Sequence, residues 1–198
     1  MKYVATFLLR KFSTPLLGMA MFLALGPACY AGVFAKYDGI DGESKDKDHD
    51  KWIDVLSIDW GAHKPGGGQT GQSRRRGTAI VEDVTLTIEY EKASPKLQEK
   101  CLKGEVIPKL EIDVTATYSE TGERETYLRY ELKNVLITSF QFAANGEGAA
   151  ALQVSMNFTE IEWTYTDREG NDTHVRVDKR SGDIDLKEEP SAPRPPRG

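Results

Sequence analysis

Apolar and polar residues alternate in many short stretches between residues 33 and 177, with a period of two. This period is typical of β-strands that bury one face, because successive side chains point to opposite sides of a sheet. In one stretch, Ile53 and Val55 alternate with polar partners. The pattern predicts strands at Val33–Tyr37, Ile53–Trp60, Ala79–Tyr90, Leu110–Tyr118, Glu125–Leu132, Val135–Phe142, Ala151–Tyr165 and Thr173–Val177.

One irregularity and one helix complete the pattern. The apolar spacing slips near Asp83, which predicts a β-bulge at that point of its strand. Ser94 and Pro95 predict the start of a short helix over Pro95–Lys103, with Ser94 as the N-cap and Pro95 at the first helical position. Gly104 predicts its end, because glycine readily takes the left-handed conformation that terminates helices.

These elements predict a mainly β fold. Seven or eight closely spaced antiparallel strands with one short flanking α-helix indicate a β-barrel or β-sandwich. We expect this domain to occupy residues 32–180, with a charged, solvated loop over 38–51 and a long glycine-rich loop at Gly61–Gly77. The segment Ser181–Gly198 is polar and rich in proline, so we expect a disordered tail there.

The first 31 residues resemble a secretory signal peptide. A basic front, an apolar stretch at Pro15–Leu25 and small residues near Ala31 follow one another in the expected order. The apolar stretch is short for a membrane span, so we favour a cleaved signal over a retained anchor.

The charge of the chain restricts the class of molecule that it binds, and its cysteine content restricts disulfide formation. Removing the three basic residues of the signal from the 26 in the chain leaves 23, against 31 acidic residues, a net charge of about −8. Such an acidic domain argues against nucleic acid or an anionic membrane as the main partner. Cys101 would be the single cysteine left, which excludes an intrachain disulfide, and we interpret it as a small buried apolar residue.

A candidate calcium loop fails at required positions. Asp46, Asp48 and Asp50 have the spacing of the first three ligands of such a loop. Lys51 stands where glycine is needed for the turn, and Ser57 where a bidentate glutamate is needed. We therefore predict no metal site there.

The glycine-rich loop is a candidate interaction site instead of a nucleotide site. Gly66, Gly67 and Gly68 begin a G-x-G-x-x-G pattern, but a strand follows it where phosphate binding requires a helix. Arg74, Arg75 and Arg76 follow in the same loop, and we expect them to contact the acidic segment 46–50 of another copy.

The sequence also lacks the parts of a catalytic site. It contains no G-x-S-x-G motif, and its three histidines lie in or beside polar segments without metal-ligand spacing. We therefore predict a protein that is not an enzyme and needs no cofactor.

Five segments, taken in order, resemble the Hcp family, the haemolysin-coregulated tube proteins of type VI secretion. Residues 42–49 are similar to its G-E-S-x-D-x-x-H loop and residues 53–61 to its I-D-V-L-x-x-x-W-G strand, which together form the first segment. The others are Val81–Thr87, Ala93–Leu97, Leu132–Ser139 and Leu152–Tyr165.

This resemblance implies a barrel protomer that assembles into homohexameric rings, which stack into a hollow, secreted conduit for effectors. It also implies contacts with spike, sheath and effector proteins, and it places ring stacking on the loop that contains Gly66–Gly68 and Arg74–Arg76. The apparent signal peptide leaves two alternatives open. The chain is either a tube subunit that is cytoplasmic before secretion, with its true start downstream, or an exported stand-alone ring that acts as a binding or carrier module.

Overall fold

The computed structural model describes residues 32–64, 79–117, 124–146, 148–181 and 184–189. These residues form eleven strands and one helix. In chain order they are β1 (Gly32–Tyr37), β2 (Ile53–Asp59), β3 (Ala62–His63), β4 (Ile80–Val81), β5 (Val84–Glu89), α1 (Ser94–Lys103), β6 (Ile107–Thr117), β7 (Arg124–Ala143), β8 (Ala151–Asn157), β9 (Glu160–Thr166), β10 (Asp172–Asp178) and β11 (Ile184–Glu189).

Six strands close into a barrel. Nine strands pair in the order β11-β10-β9-β7-β6-β1-β2-β5-β8, and β8 also pairs with β7, so the strands from β7 to β8 form a closed ring of hydrogen-bonded neighbours. Their alternating apolar residues fill the interior, among them Ile53, Leu86, Ile112 and Met156, all nearly or fully buried. The predicted mainly β fold with one helix is confirmed.

The long strand β7 belongs to two parts of the sheet. Its residues 128–133 pair with β9, and residues 136–143 pair with β8. We predicted two strands here, and that prediction was wrong, because pairing with β6 continues on both sides of the change of partner. The change occurs at Asn134, whose φ of 51° bends the strand without ending its pairing with β6.

Two other predicted strands are divided. The stretch Ala151–Tyr165 forms β8 and β9, which separate at Phe158 and Thr159 because Phe158 turns into the core and the Thr159 amide donates to the Lys133 carbonyl. The stretch Ala79–Tyr90 is interrupted at residues 82–83, close to the predicted irregularity.

Helix α1 begins differently from the prediction and ends as predicted. Ala93 is the N-cap, and no side chain caps the helix there. The Ser94 hydroxyl instead accepts a hydrogen bond from the Glu91 amide at 3.0 Å. Gly104 ends the helix in the left-handed conformation, with φ of 65°. The helix packs against β7 with Leu97 fully buried.

The predicted disordered tail requires a correction over residues 184–189. This segment forms β11, which pairs along its whole length with β10. The predicted signal peptide, residues 1–31, and the rest of the tail from residue 190 lie outside the described residues.

Candidate functional site

Residues 38–52, here called the motif loop, connect β1 and β2 and fold tightly against the barrel. The Gly42 amide donates to the Lys51 carbonyl at 2.7 Å, and the Ser44 amide donates to the Trp52 carbonyl at 2.9 Å. Ser44 and His49 are buried. The prediction of a solvated loop was therefore wrong for these residues.

Gly42 permits the closest approach within the motif loop. A Cβ atom at this position would lie 2.1 Å from the Trp52 carbonyl oxygen, well inside van der Waals contact. The Trp52 backbone lies closest to this position, so a residue without a side chain is required.

The motif loop is also tied to the segment that precedes α1. The Glu43 amide donates to the Glu91 carboxylate at 2.8 Å, and the Lys92 amide donates to the Glu43 carboxylate at 3.2 Å. Burial of the Glu91 side chain raises its pKa. This reciprocal exchange links two segments 48 residues apart, and it fixes the loop over one end of the barrel.

His49 joins the motif loop to the barrel wall. Its Nδ1 lies 3.0 Å from the Asp46 carboxylate, and its Nε2 lies 3.1 Å from the carboxylate of Asp113 on β6. The ring stacks on Phe34, with centroids 4.3 Å apart, and meets the Trp52 ring edge-on. Because Asp113 and His49 are both buried, the contact is shielded from water.

Two arginines of β7 complete this charged cluster, which we define as Asp46, His49, Asp113, Arg124 and Arg129. Arg129 donates to both oxygens of Asp113 at 2.6 Å, a bidentate pair. Arg124 donates to the other oxygen of Asp46. Although burial favours the neutral acid, the hydrogen bonds from His49 and Arg124 lower the pKa of Asp46 to about 2.

The charged cluster holds the motif loop against the barrel wall. Its carboxylates are already paired with arginines, Asp113 with Arg129 and Asp46 with Arg124. Next to it lies an open cavity of about 300 Å³, lined by Asp48, His49, Thr115, Arg124, Glu125 and Thr126.

The sequence prediction placed an interaction site partly on the acidic segment 46–50. The structure brings Asp46 into the charged cluster, so its carboxylate is not available to another copy. Asp48 and Asp50 are exposed on the surface of the motif loop. Sequence reasoning missed His49 and Asp113, which are 64 residues apart and meet only in the folded chain.

The predicted stacking residues Gly66, Gly67, Gly68, Arg74, Arg75 and Arg76 lie outside the described residues. Their loop starts and ends on a short ribbon in which Ala62 pairs with Val81 and His63 pairs with Ile80. An exposed contact between His63 and Glu82, 3.2 Å apart, flanks this ribbon. Both ends of the loop are thus held side by side.

Comparison with known proteins agrees with this architecture. The family model described as type VI secretion system effector, Hcp, matches residues 34–165, two thirds of the chain. The chain belongs to the Hcp family. The match includes the motif loop, the complete barrel and β9 up to Tyr165.

Individual Hcp relatives support the assignment. The protein hcp1 of Pseudomonas aeruginosa is 29% identical over 134 residues, which are 67% of this chain and 82% of that protein. A solved structure of a type six secretion system protein is 25% identical, with a TM-score of 0.71, and the match covers 79% of this chain and 100% of that one. A type VI secretion system effector from Yersinia pestis is 25% identical with a TM-score of 0.62, covering 74% and 98%.

Membership of the Hcp family makes this chain a structural subunit of the type VI secretion tube. The Hcp family consists of structural tube proteins rather than enzymes, and they are secreted through the type VI system. Within the residues that the structure describes, no helix has the length and apolar character needed to cross a membrane.

Proposed function

We propose that this tube subunit works as a closed homohexameric ring and that the rings stack into a conduit for effectors. The observation that carries the proposal is the match of the Hcp model to the whole barrel, since hexameric rings are known for that family. A closed barrel suits this work, because ring contacts between different surfaces of identical subunits need a rigid scaffold. Several large apolar side chains are exposed and available for such contacts: Leu56, Ile80, Tyr90, Leu102, Val106 and Phe142.

For stacking, we propose that Arg74, Arg75 and Arg76 contact carboxylates of the next ring. The ribbon of β3 and β4 supports this role, because it holds both ends of the arginine-containing loop at one place on the barrel. Asp48 and Asp50 are suitable partners, since both are exposed on the motif loop. Arginine binds carboxylates well because its planar guanidinium group can donate two parallel hydrogen bonds.

Replacing Arg74, Arg75 and Arg76 together by glutamate tests the stacking role. We expect rings to form as in the unmodified chain, while tubes are lost, because the new carboxylates would repel Asp48 and Asp50. Light scattering after size exclusion measures the ring, and electron microscopy with sedimentation measures the tubes.

A matched control makes the same charge change on or beside α1, at Lys92, Lys96 and Lys103, which are all exposed. Tubes are expected from this control variant. Intact tubes in the arginine variant would show that the loop does not stack rings through its charges. A monomer at high concentration in the unmodified chain would contradict the ring itself.

The alternative function, an exported stand-alone ring that binds or carries another molecule, is favoured by the signal-like residues 1–31. Mass spectrometry of the protein from cells distinguishes the two. A chain that begins after Ala31, in cells without genes for a sheath and spike, would support the exported ring. An uncleaved start in cells that contain those genes would support the tube subunit.

A further inference from the structure

The chain contains four asparagines, and the structure places them in different surroundings. They are Asn134, Asn145, Asn157 and Asn171. Asparagine is chemically labile, because the backbone nitrogen of the next residue can attack the side-chain carbonyl carbon Cγ and expel ammonia. This reaction is fastest when the side chain is free, the next residue leaves the nitrogen uncrowded and the backbone can rotate to close the ring. The four asparagines differ in all three respects.

Three of the asparagines are restrained. The side-chain amides of Asn134, Asn157 and Asn171 donate hydrogen bonds to hydroxyl or carboxylate oxygens at 2.9, 2.6 and 2.8 Å. The residues that follow them are valine, phenylalanine and aspartate, whose side chains crowd the attacking nitrogen. Asn134 and Asn157 also lie within strands, where pairing fixes the backbone. These restraints oppose closure of the ring.

Asn145 has none of these restraints. It lies between β7 and β8, and both Asn145 and the following Gly146 are exposed. Within the part of the chain that the structure describes, no hydrogen bond holds the Asn145 side chain. A Cβ atom at Gly146 would meet no atom within 4 Å, so the fold leaves open space beside the residue that supplies the attacking nitrogen.

The barrel holds the base of this loop and leaves its tip outside the strands. Ala143 and Ala151 form the last pair between β7 and β8, and the Tyr90 amide donates to the Ala150 carbonyl at 2.7 Å. Asn145 and Gly146 lie beyond this last pair. The backbone at the tip can therefore rotate without breaking a strand pair.

We propose that Asn145 and Gly146 form a self-modification site, at which Asn145 is converted to aspartate and isoaspartate. Hydroxide removes the proton of the Gly146 amide, and the nitrogen then bonds to Cγ of Asn145. The bond from Cγ to Nδ2 breaks, and the leaving group takes a proton from water and departs as ammonia. A five-membered succinimide ring remains, and hydroxide is regenerated.

Water then opens the succinimide at one of its two carbonyl carbons. Attack at Cγ gives aspartate, whereas attack at the backbone carbonyl carbon gives isoaspartate, whose backbone runs through Cβ. Water is the only co-reactant, and nothing is oxidised or reduced. Both products carry a new carboxylate, so the modified protein is more acidic by one charge. This charge lies on the loop whose base carries the exposed rings of Tyr90 and Phe142, with centroids 5.3 Å apart.

Incubation of the folded full-length chain at mildly alkaline pH, followed by mass spectrometry of its proteolytic peptides, tests the proposal. Asn145 should gain one mass unit, and the rate should rise with pH because the Gly146 nitrogen must lose a proton. The other three asparagines are internal controls and should stay unmodified while Asn145 is converted. A synthetic peptide with the sequence of residues 143–149 measures the rate without the fold. The folded chain should match that rate within about threefold.

The Gly146→Ala variant tests the route. Its methyl group crowds the attacking nitrogen, while the open space around residue 146 accommodates it. Conversion of Asn145 should slow by about tenfold, which corresponds to about 1.4 kcal/mol in the barrier. Thermal unfolding followed by circular dichroism should match that of the unmodified chain, which shows that the fold is kept.

Three results would overturn the proposal. Asn145 that stays intact in the folded chain while the peptide converts would show that the fold protects it. An unchanged rate in the Gly146→Ala variant would show that the Gly146 nitrogen does not attack Cγ. Conversion of Asn134, Asn157 or Asn171 as fast as that of Asn145 would show that the surroundings described here do not select the site.

Discussion

Asp113 is a buried carboxylate that receives hydrogen bonds from side chains of two different parts of the chain. Arg129 donates from the adjacent strand, and His49 donates from the motif loop. Burying a charge without such partners is very costly. The charged cluster thus connects the loop to the barrel through one ring.

Replacing Asp46 by asparagine should lower the free energy of unfolding by about 2 kcal/mol near neutral pH, since one pKa unit corresponds to about 1.4 kcal/mol. The pKa of Asp46 falls from 3.8 to about 2 on folding. A lowered folded-state pKa stabilises the fold above the unfolded-state pKa, and this contribution is lost as the pH falls through about 2. Urea unfolding at a fixed protein concentration, at several pH values, measures the difference.

The control for this experiment is Asp50→Asn, which removes an exposed carboxylate from the same loop. We expect a change within about 0.5 kcal/mol for this control. A difference between Asp46→Asn and the unmodified chain that persists unchanged at the lowest pH would show that the ionised carboxylate is not what stabilises the loop.

At the scale of the element, the motif loop depends on close backbone contact. Replacing Gly42 by alanine places a methyl group 2.1 Å from the Trp52 carbonyl oxygen, where no flexible side chain can move aside. We expect the free energy of unfolding to fall by about 2–3 kcal/mol. Thermal or urea unfolding measures the loss, and faster hydrogen exchange in residues 38–52 would locate it.

Gly146→Ala is the matched control, because a Cβ atom there meets no atom within 4 Å and the backbone needs no positive φ. Its stability is expected to be unchanged or slightly higher. Equal losses for the two variants would mean that the close approach at Gly42 relaxes without strain.

Strand existence was predictable where the local pattern agrees with the final structure. Ile53 and Val55 alternate with polar residues and lie in β2, and Gly104 ends α1 as its conformational freedom suggests. Asn134 shows the limit: a polar residue between two apolar stretches suggested a break, but pairing with β6 carries the strand through it. The local pattern of apolar and polar residues does not show which strand a segment pairs with, and that pairing decides whether the strand continues.

The charged cluster was not predictable for the same reason. His49 stands among charged residues in the sequence, which is typical of a solvated segment. Its burial follows from Phe34 on β1 and Asp113 on β6, and nothing near residue 49 encodes their position. Gly42, in contrast, could be recognised in the sequence as part of the motif. Its close approach to the Trp52 carbonyl, which requires glycine, could not be predicted.

At the scale of the whole molecule, Leu132 lies where the barrel continues into the outer strands β9, β10 and β11. It is in register with Leu110 on β6 and Ile161 on β9, and all three side chains are fully buried. Replacing Leu132 by alanine should destabilise the protein by about 3 kcal/mol, through lost contacts and the cavity left behind. Urea unfolding followed by circular dichroism measures the loss.

Because Leu132 belongs to both parts, the barrel and the outer strands should still unfold in one transition. In a variant with Trp52 and Trp60 replaced by phenylalanine, tryptophan fluorescence reports on Trp163 in β9 and should therefore follow the same curve as the circular dichroism of that variant. Lys96→Ala, at an exposed side chain of α1, is the control and should change stability by less than about 0.5 kcal/mol. Two separate transitions would show that the outer strands fold independently.

The sharing of β7 among three neighbours also limits how this chain can change in evolution. Residues 124–135 pair with β6, residues 128–133 with β9 and residues 136–143 with β8. Because side chains alternate between faces, deletion or insertion of one residue inside β7 would reverse the faces of all residues beyond it. Length variation is better tolerated in the connections between strands, because added loop residues leave the register of the strands unchanged. The length of β7 is therefore expected to vary less than the lengths of the loops.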